Sequence, residues 1–344
     1  MSESVEAAQA HLDSLAKPPG SLGRLEALAL WLAECQDTPM PQADKARVVV
    51  FAGDHGVVAQ GVSPYPQAVT VAMVHTFAAG KAAVSVLARQ AGAELEVVDV
   101  GVAGLDVLPA PAPGVSVVNA KVARGSADLM LGPALTPEQL QAARQAGVDA
   151  AERAARDGIQ VLALGEMGIG NTTPAAALSA RLLGRSAQEM VGPGTGLDPA
   201  GVAHKVAVVQ AALDRDGPSD PWAAMADLGG LELAAIAGCI EGAAERGIPV
   251  LLDGFIVGAA ALCAVKGRGS LARFIRPATA SAEPGHRAIL EALGAGEALL
   301  DWGLRLGEAS GAALCLPMLR SACAVMSEMA TLQEVLAAAG PPPE

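Results

Sequence analysis

The stretch Ile159 to Pro174, IQVLALGEMGIGNTTP, constrains this chain more than any other. Its apolar opening, Ile159 to Leu164, is short and rich in Val, Ile and Leu, which suits a buried strand of a parallel sheet better than a helix. The run breaks at Gly165. Gly165, Gly168 and Gly170 permit tight turns and let backbone N–H groups approach a ligand, because no Cβ stands in the way. Asn171, Thr172 and Thr173 then supply caps, and Pro174 suits the first helical position, where its missing N–H costs nothing. A helix N-terminus carries unpaired donors and the positive end of the dipole, so strand, glycine loop and helix start together suit a phosphate or another anion. A tight turn alone would not need Glu166, a carboxylate inside the loop, so a functional site is expected at this point.

The rest of the composition agrees with an α/β chain. Across 344 residues 52% are hydrophobic but only 2% aromatic, so Ala, Val and Leu must fill the core of closely packed helices and strands. A formal net charge of −13 disfavours nucleic acid or an anionic membrane surface as partner and favours small molecules. The apolar runs are short and interrupted, as at Leu251 to Val265 where Asp253 and Gly254 intervene, so they read as buried elements and not as membrane spans. The start, MSESVEAAQAHLDSLAKPPG, has no basic region and no apolar signal core, which makes the cytoplasm the expectation. Cys35, Cys239, Cys263, Cys315 and Cys323 form no C-x-x-C pair and sit among apolar residues, as buried thiols do.

In chain order, residues 4–16 and 22–35 read as helices around Lys17-Pro-Pro-Gly-Ser21 and pair as a hairpin. Val48 to Ala52 is a buried strand ending in Gly53-Asp54-His55-Gly56, where ligands gather in open α/β sheets. The Asp54-His55 pair fixes that loop or binds a metal. Tyr65, the only tyrosine, lies between two prolines that hold the segment extended and present its ring, as one wall of a base pocket would. One helix is expected over 68–91, strands at Leu95 to Val100 and Val115 to Val118, and a helix from Pro137 to about Asp157 capped by Thr136. After a helix from Ala175 to Leu183, a second glycine cluster, Val191 to Asp198, precedes a helix over Pro199 to Leu213 that carries Lys205 two turns in. Gly192, Gly194 and Gly196 with that lysine suit a second wall of the anion site. A helix from Asp227 to Arg246, strands at Ile248 to Leu252 and Ala272 to Pro277, a helix between them, and helix pairs from Ile289 onward complete the pattern, with a short tail after Gly340. The expected organisation is a large α/β substrate-binding domain at 41–288 and a small helical domain from 1–40 plus 289–344.

Taken together these stretches resemble the nicotinate-nucleotide:dimethylbenzimidazole phosphoribosyltransferase family of cobalamin lower-ligand synthesis. The likeness runs through Lys17-Pro-Pro-Gly-Ser-Leu-Gly, Gly53-Asp-His-Gly-Val, Tyr65-Pro-Gln67, GEMGIGNTT at 165–173, GPGTGLD at 192–198, Asp253-Gly-Phe-Ile, SAEPGH at 281–286 and LGEASGAAL at 306–314. One departure is Ala309, where the family more often has glycine. The resemblance implies a homodimer with a Rossmann-like parallel sheet flanked by helices and a smaller helical domain, needing no metal or other cofactor. It implies conversion of nicotinate mononucleotide and dimethylbenzimidazole to α-ribazole 5′-phosphate and nicotinate. By the same match Glu308 is the catalytic base and Glu166 the second active-site carboxylate. Gly168, Gly170, Asn171, Thr172, Gly194, Thr195 and Lys205 hold the phosphate, and Ser63, Tyr65, Gln67 and Met167 line the base pocket. Two rivals are a metal-dependent phosphohydrolase using Asp54, His55, Asp253 and His286, and a catalytically silent nucleotide-binding module.

Overall fold

A computed structural model describes residues 2–339. The tail expected after Gly340 lies outside these described residues. In chain order the elements are α1 (Glu3–Ser14), α2 (Arg24–Gln36), β1 (Ala46–Gly53), α3 (Ala68–Ala78), α4 (Ala83–Gln90), β2 (Glu94–Gly101), β3 (Val115–Asn119) and α5 (Pro137–Arg156). Next come β4 (Val161–Met167), α6 (Thr172–Leu183), α7 (Ala187–Met190), α8 (Pro199–Leu213), α9 (Pro221–Leu228), α10 (Leu231–Ala244) and β5 (Val250–Leu252). The chain continues through α11 (Phe255–Gly267), β6 (Ile275–Pro277), α12 (His286–Leu293), α13 (Ser310–Glu328) and α14 (Leu332–Ala339).

The six strands form one sheet in the order β3-β2-β1-β4-β5-β6, every neighbouring pair parallel. Parallel strands need crossovers, and the helices that supply them cover both faces, which is why β1 is buried along its whole length. On one face α10 packs with α5 and α11; on the other α13 packs with α2 and α4. Chain progression reverses between β1 and β4, so a crevice opens at their carboxyl ends.

Local signals placed several elements closely. Thr136 and Gln139 form a reciprocal capping box at the start of α5, with Pro137 in its first turn. Asp198 caps α8, whose bounds match the expectation. Four expectations change. The helix expected over 68–91 is two, because the chain turns through a left-handed Gly80 between α3 and α4. Strand β4 does not stop at Gly165: Gly165, Glu166 and Met167 still pair with Val50, Phe51 and Ala52. Glu166 is therefore a strand residue and not a loop residue. Pro174 falls at the third position of α6, still within the first turn where no intrahelical N–H is needed. The segment 269–274 forms a 3-10 turn, which shortens β6, and α9 occupies a stretch read as connection.

The termini do meet. Leu15 bridges Thr331, the Ala16 amide donates to the Ala330 carbonyl at 2.9 Å, and α2 packs on α13. Helix α13 also packs on β1, β4 and β5, so its buried face belongs to the same continuous core as the sheet. By length and composition alone α13 could cross a bilayer, but the buried half of its surface is occupied by that sheet.

Candidate active site

The carboxyl ends of β1, β4 and β5 deliver Gly53, Glu166 and Asp253 to one crevice, and the chain before α13 delivers Glu308 to the same place. Two close approaches bring Glu308 in. A Cβ on Gly165 would overlap the Ala309 amide nitrogen and lie 2.6 Å from the Glu308 carbonyl carbon, so only glycine lets this segment cross β4. A Cβ on Gly307 would lie 2.5 Å from Glu166 Oε1. Glu166 and the Glu308 turn therefore abut.

That turn is unusual. Gly307, Glu308 and Ala309 are all left-handed, with φ of 81°, 63° and 67°. For the two residues with side chains this costs on the order of 1 to 3 kcal/mol each, and such strain persists only where the surroundings impose it. Asp253 imposes it. Its Oδ2 accepts the Ala309 amide at 3.0 Å, while Oδ1 accepts those of Gly311 at 2.8 Å and Ala312 at 3.1 Å. These are orphan donors at the start of α13, so the carboxylate caps the helix and clamps the turn together. The departure at Ala309 falls on a left-handed position, where glycine would be unstrained.

Electrostatics separate the carboxyls from ordinary ones. Burial pushes Glu166 up to about 8; the Asn171 side-chain amide, which donates to its Oε2, opposes this, while the charges of Asp253, Glu232 and Glu308 add to it. Burial also pushes Glu308 up to about 7, assisted by Asp253. Asp253 itself is raised to about 7 by burial, against three amides that favour its charged form. Carboxyls poised near neutrality in a crevice are the groups that accept and hold protons in catalysis.

Beside this cluster lies the lysine. Lys205, buried within α8, donates from Nζ to Thr172 Oγ1 at 2.6 Å and to the Gly192 carbonyl at 3.4 Å. Burial pulls its ammonium down to about 8, and Glu283 works the other way. The two glycine loops thus face each other, as expected. What the sequence reading missed is Glu283, whose Oε1 accepts the Gly194 amide at 2.9 Å and whose burial raises its carboxyl. Asn171 also differs from expectation, since its side chain is the partner of Glu166 and its amide donates to the Gly168 carbonyl. Thr195 is exposed.

Gly168 and Gly170 form the turn between β4 and α6, and the Ile169 amide between them donates to Thr70 Oγ1 of α3 at 3.2 Å. This bond brings the start of α3, with Gln67 at its cap position, against the glycine loop. Met167 is buried at the end of β4, Ser63 accepts the Tyr65 amide at 3.2 Å, and the Tyr65 ring is exposed. The residues proposed as metal ligands are occupied by other bonds. Asp54 Oδ2 accepts the Ala103 amide, His55 bonds Glu232, Asp253 is the clamp, and His286 Nδ1 accepts the Ser281 amide. Among the described residues no three His, Cys, Asp or Glu side chains are grouped to hold a metal ion.

Comparison with known proteins places this geometry. A phosphoribosyltransferase family model matches residues 1–336. A protein of Pseudomonas putida named nicotinate-nucleotide–dimethylbenzimidazole phosphoribosyltransferase is 50% identical over 339 residues, 98% of this chain and 95% of its own. One of the same name from Bradyrhizobium diazoefficiens is 50% identical over 93% of this chain and 90% of its own. The crystal structure of CobT from Thermus thermophilus superposes with a TM-score of 0.91 at 46% identity, covering 97% of this chain and 98% of that one.

Proposed function

Since the chain belongs to the nicotinate-nucleotide–dimethylbenzimidazole phosphoribosyltransferase family, we propose that it transfers the 5-phosphoribosyl group of nicotinate mononucleotide to 5,6-dimethylbenzimidazole. The products are α-ribazole 5′-phosphate and nicotinate. The observation that carries this reading is the pair of buried carboxyls, Glu166 and Glu308, abutting at the sheet's switch point beside Lys205.

A benzimidazole ring nitrogen attacks C1′ as the C1′–nitrogen bond of the pyridinium breaks, and the electron pair returns to the nicotinate ring. The attacked base is then cationic unless the proton on its other nitrogen leaves. Glu308, raised to about 7, is basic enough to take that proton near neutral pH. Glu166 faces the ribose, where its ionised form opposes the positive charge that develops as nicotinate departs. Lys205, Thr172 and the amides of the two glycine loops hold the 5′-phosphate, and Ser63, Tyr65, Gln67 and Met167 surround the base. Mixing the protein with nicotinate mononucleotide and dimethylbenzimidazole and identifying products by mass tests the reaction. Failure to form α-ribazole 5′-phosphate would end this reading.

Loss of the lysine should act on one substrate only. Lys205→Ala is expected to raise KM for the nucleotide and leave KM for the base nearly unchanged, since one charged hydrogen bond is worth about 1.5 to 3 kcal/mol. Equal effects on both constants would remove Lys205 from the phosphate site.

The active form is proposed to be a homodimer in the cytoplasm. Exposed Leu332, Val335 and Leu336 on α14 support association, and five free, buried cysteines fit a reducing compartment. Deleting residues 1–35 would strip α2 from α13 and is expected to cause aggregation or dissociation. Sedimentation of a soluble, fully active truncated dimer would show otherwise.

A further inference from the structure

Below the glycine loop lies a buried pair that the reaction above does not use. His55 follows β1 by two residues, and Glu232 is the second residue of α10; both side chains are fully buried and Nε2 lies 2.8 Å from Glu232 Oε1. The Ser126 hydroxyl lies 3.4 Å from Nδ1. A neutral ring with its proton on Nε2 satisfies both contacts, donating to the carboxylate and accepting from serine. Glu232 then keeps its negative charge, which the positive end of α10 favours. Its other oxygen, Oε2, has no hydrogen-bond partner.

Three glycines close around the pair. A Cβ on Gly53 would lie 3.1 Å from Glu232 Oε2, one on Gly168 would lie 3.2 Å from His55 Nε2, and one on Gly230 would lie 2.5 Å from His55 Cε1. Gly168 belongs to the turn that carries the chain from Glu166 to Asn171, so His55 packs directly beneath that turn. Gly165 faces α13, and Glu166, next along the strand, starts out on the opposite face, the one α10 covers. The charged or titratable groups around Glu166 are Glu232 on α10, Asp253 after β5 and Glu308 before α13, with His55 after β1 beneath them. Asp253 is spent on its amides and Glu308 on the base. Glu232 has no other task.

We propose that the His55–Glu232 pair is a positioning device for Glu166, in which His55 holds Glu232 so that its buried charge sets when Glu166 carries its proton. In the free protein the neighbouring negative charge keeps Glu166 protonated. When the cationic ring of the nucleotide arrives, Glu166 releases that proton and faces the ribose as an anion. This inference rests on the proposed placement of the nucleotide at Glu166.

The test is calorimetry of nicotinate mononucleotide binding without the second substrate, in two buffers of different ionisation enthalpy, to count protons released at each pH. Glu232→Gln keeps the acceptor for Nε2–H and removes the charge. Its proton release is expected to reach its midpoint roughly one pH unit lower than in the wild type. The nucleotide's own phosphate ionisation is common to both proteins and cancels in the difference. A merely structural role would weaken binding and leave the midpoint where it was, and that outcome overturns the inference. Should the Gln variant not fold, carboxyl 13C NMR of glutamate-labelled wild type replaces it, with Glu232 assigned by the signal lost in Glu232→Asp. Glu232 must then be ionised throughout the range in which Glu166 titrates; a protonated Glu232 overturns the inference equally. A wild type that binds nucleotide with the expected proton release but makes no α-ribazole 5′-phosphate removes the proposed reaction and not the pair's role.

Discussion

Glu308→Gln is expected to lower turnover by about 10²- to 10⁴-fold while both substrates still bind, the range typical of a general base. Glutamine keeps the size and hydrogen bonding of the side chain but cannot take the ring proton, so the loss lies in the transition state and not in the ground state. Because burial and Asp253 raise Glu308 to about 7, the base is ionised above that pH and protonated below it. Wild-type turnover is therefore expected to fall as pH drops through about 7, and the Gln variant should lose that contribution to the profile. Steady-state kinetics across pH, with circular dichroism to establish the fold, decide the matter. A folded Gln variant with near-normal turnover on dimethylbenzimidazole would move the role of base to Glu166.

Gly165→Ala should cost nearly as much activity without touching any reacting group. The added methyl would meet the Ala309 amide, which Asp253 holds at 3.0 Å, so the turn cannot yield without giving up that bond. Overpacking of this kind costs about 1 to 3 kcal/mol, and an unsatisfied buried amide costs a similar amount. The sheet survives, because Gly165 pairs with Val50 through its backbone and alanine keeps that pairing. The expected result is a protein with a lower Tm, unchanged nucleotide binding through Lys205, and turnover reduced about as far as in Glu308→Gln. Wild-type Tm and turnover together would show that the close crossing of Ala309 over β4 is not what places Glu308.

Gly165 also shows where a sequence reading stops. Glycine after an apolar run signals a turn, yet it equally marks a strand residue over which another backbone passes. The two meanings differ only in what lies above position 165, and that is residue 309. A similar limit hid Glu232 and Glu283. Glu232 is a lone carboxylate opening the apolar run Leu233 to Ile240, a local signal that was available, but its partner His55 is far away in the sequence. Glu283 lay within a quoted motif, and only the fold sets it on the Gly194 amide. Nor does any residue type announce that Glu308 and Ala309 both adopt left-handed backbone. Ala309 is where glycine was expected, and the strain there is sustained by an aspartate at position 253.

What the sequence by itself determined is what short windows of chain encode. Apolar runs of strand length, glycine loops after them and capped helices following dictate a parallel α/β sheet with its ligand groups at the carboxyl ends of the strands. Its ordered motifs also named the family and the residues of the two anion loops, and the structure sets Lys205 against Thr172. Only the tertiary structure decided which carboxyls meet, how deeply each is buried, and so which of them hold protons near neutral pH. Those properties depend on the strand order β3-β2-β1-β4-β5-β6, which joins position 166 to 308 and position 55 to 232. Desolvation and charge coupling act through space, and no local window of residues carries them.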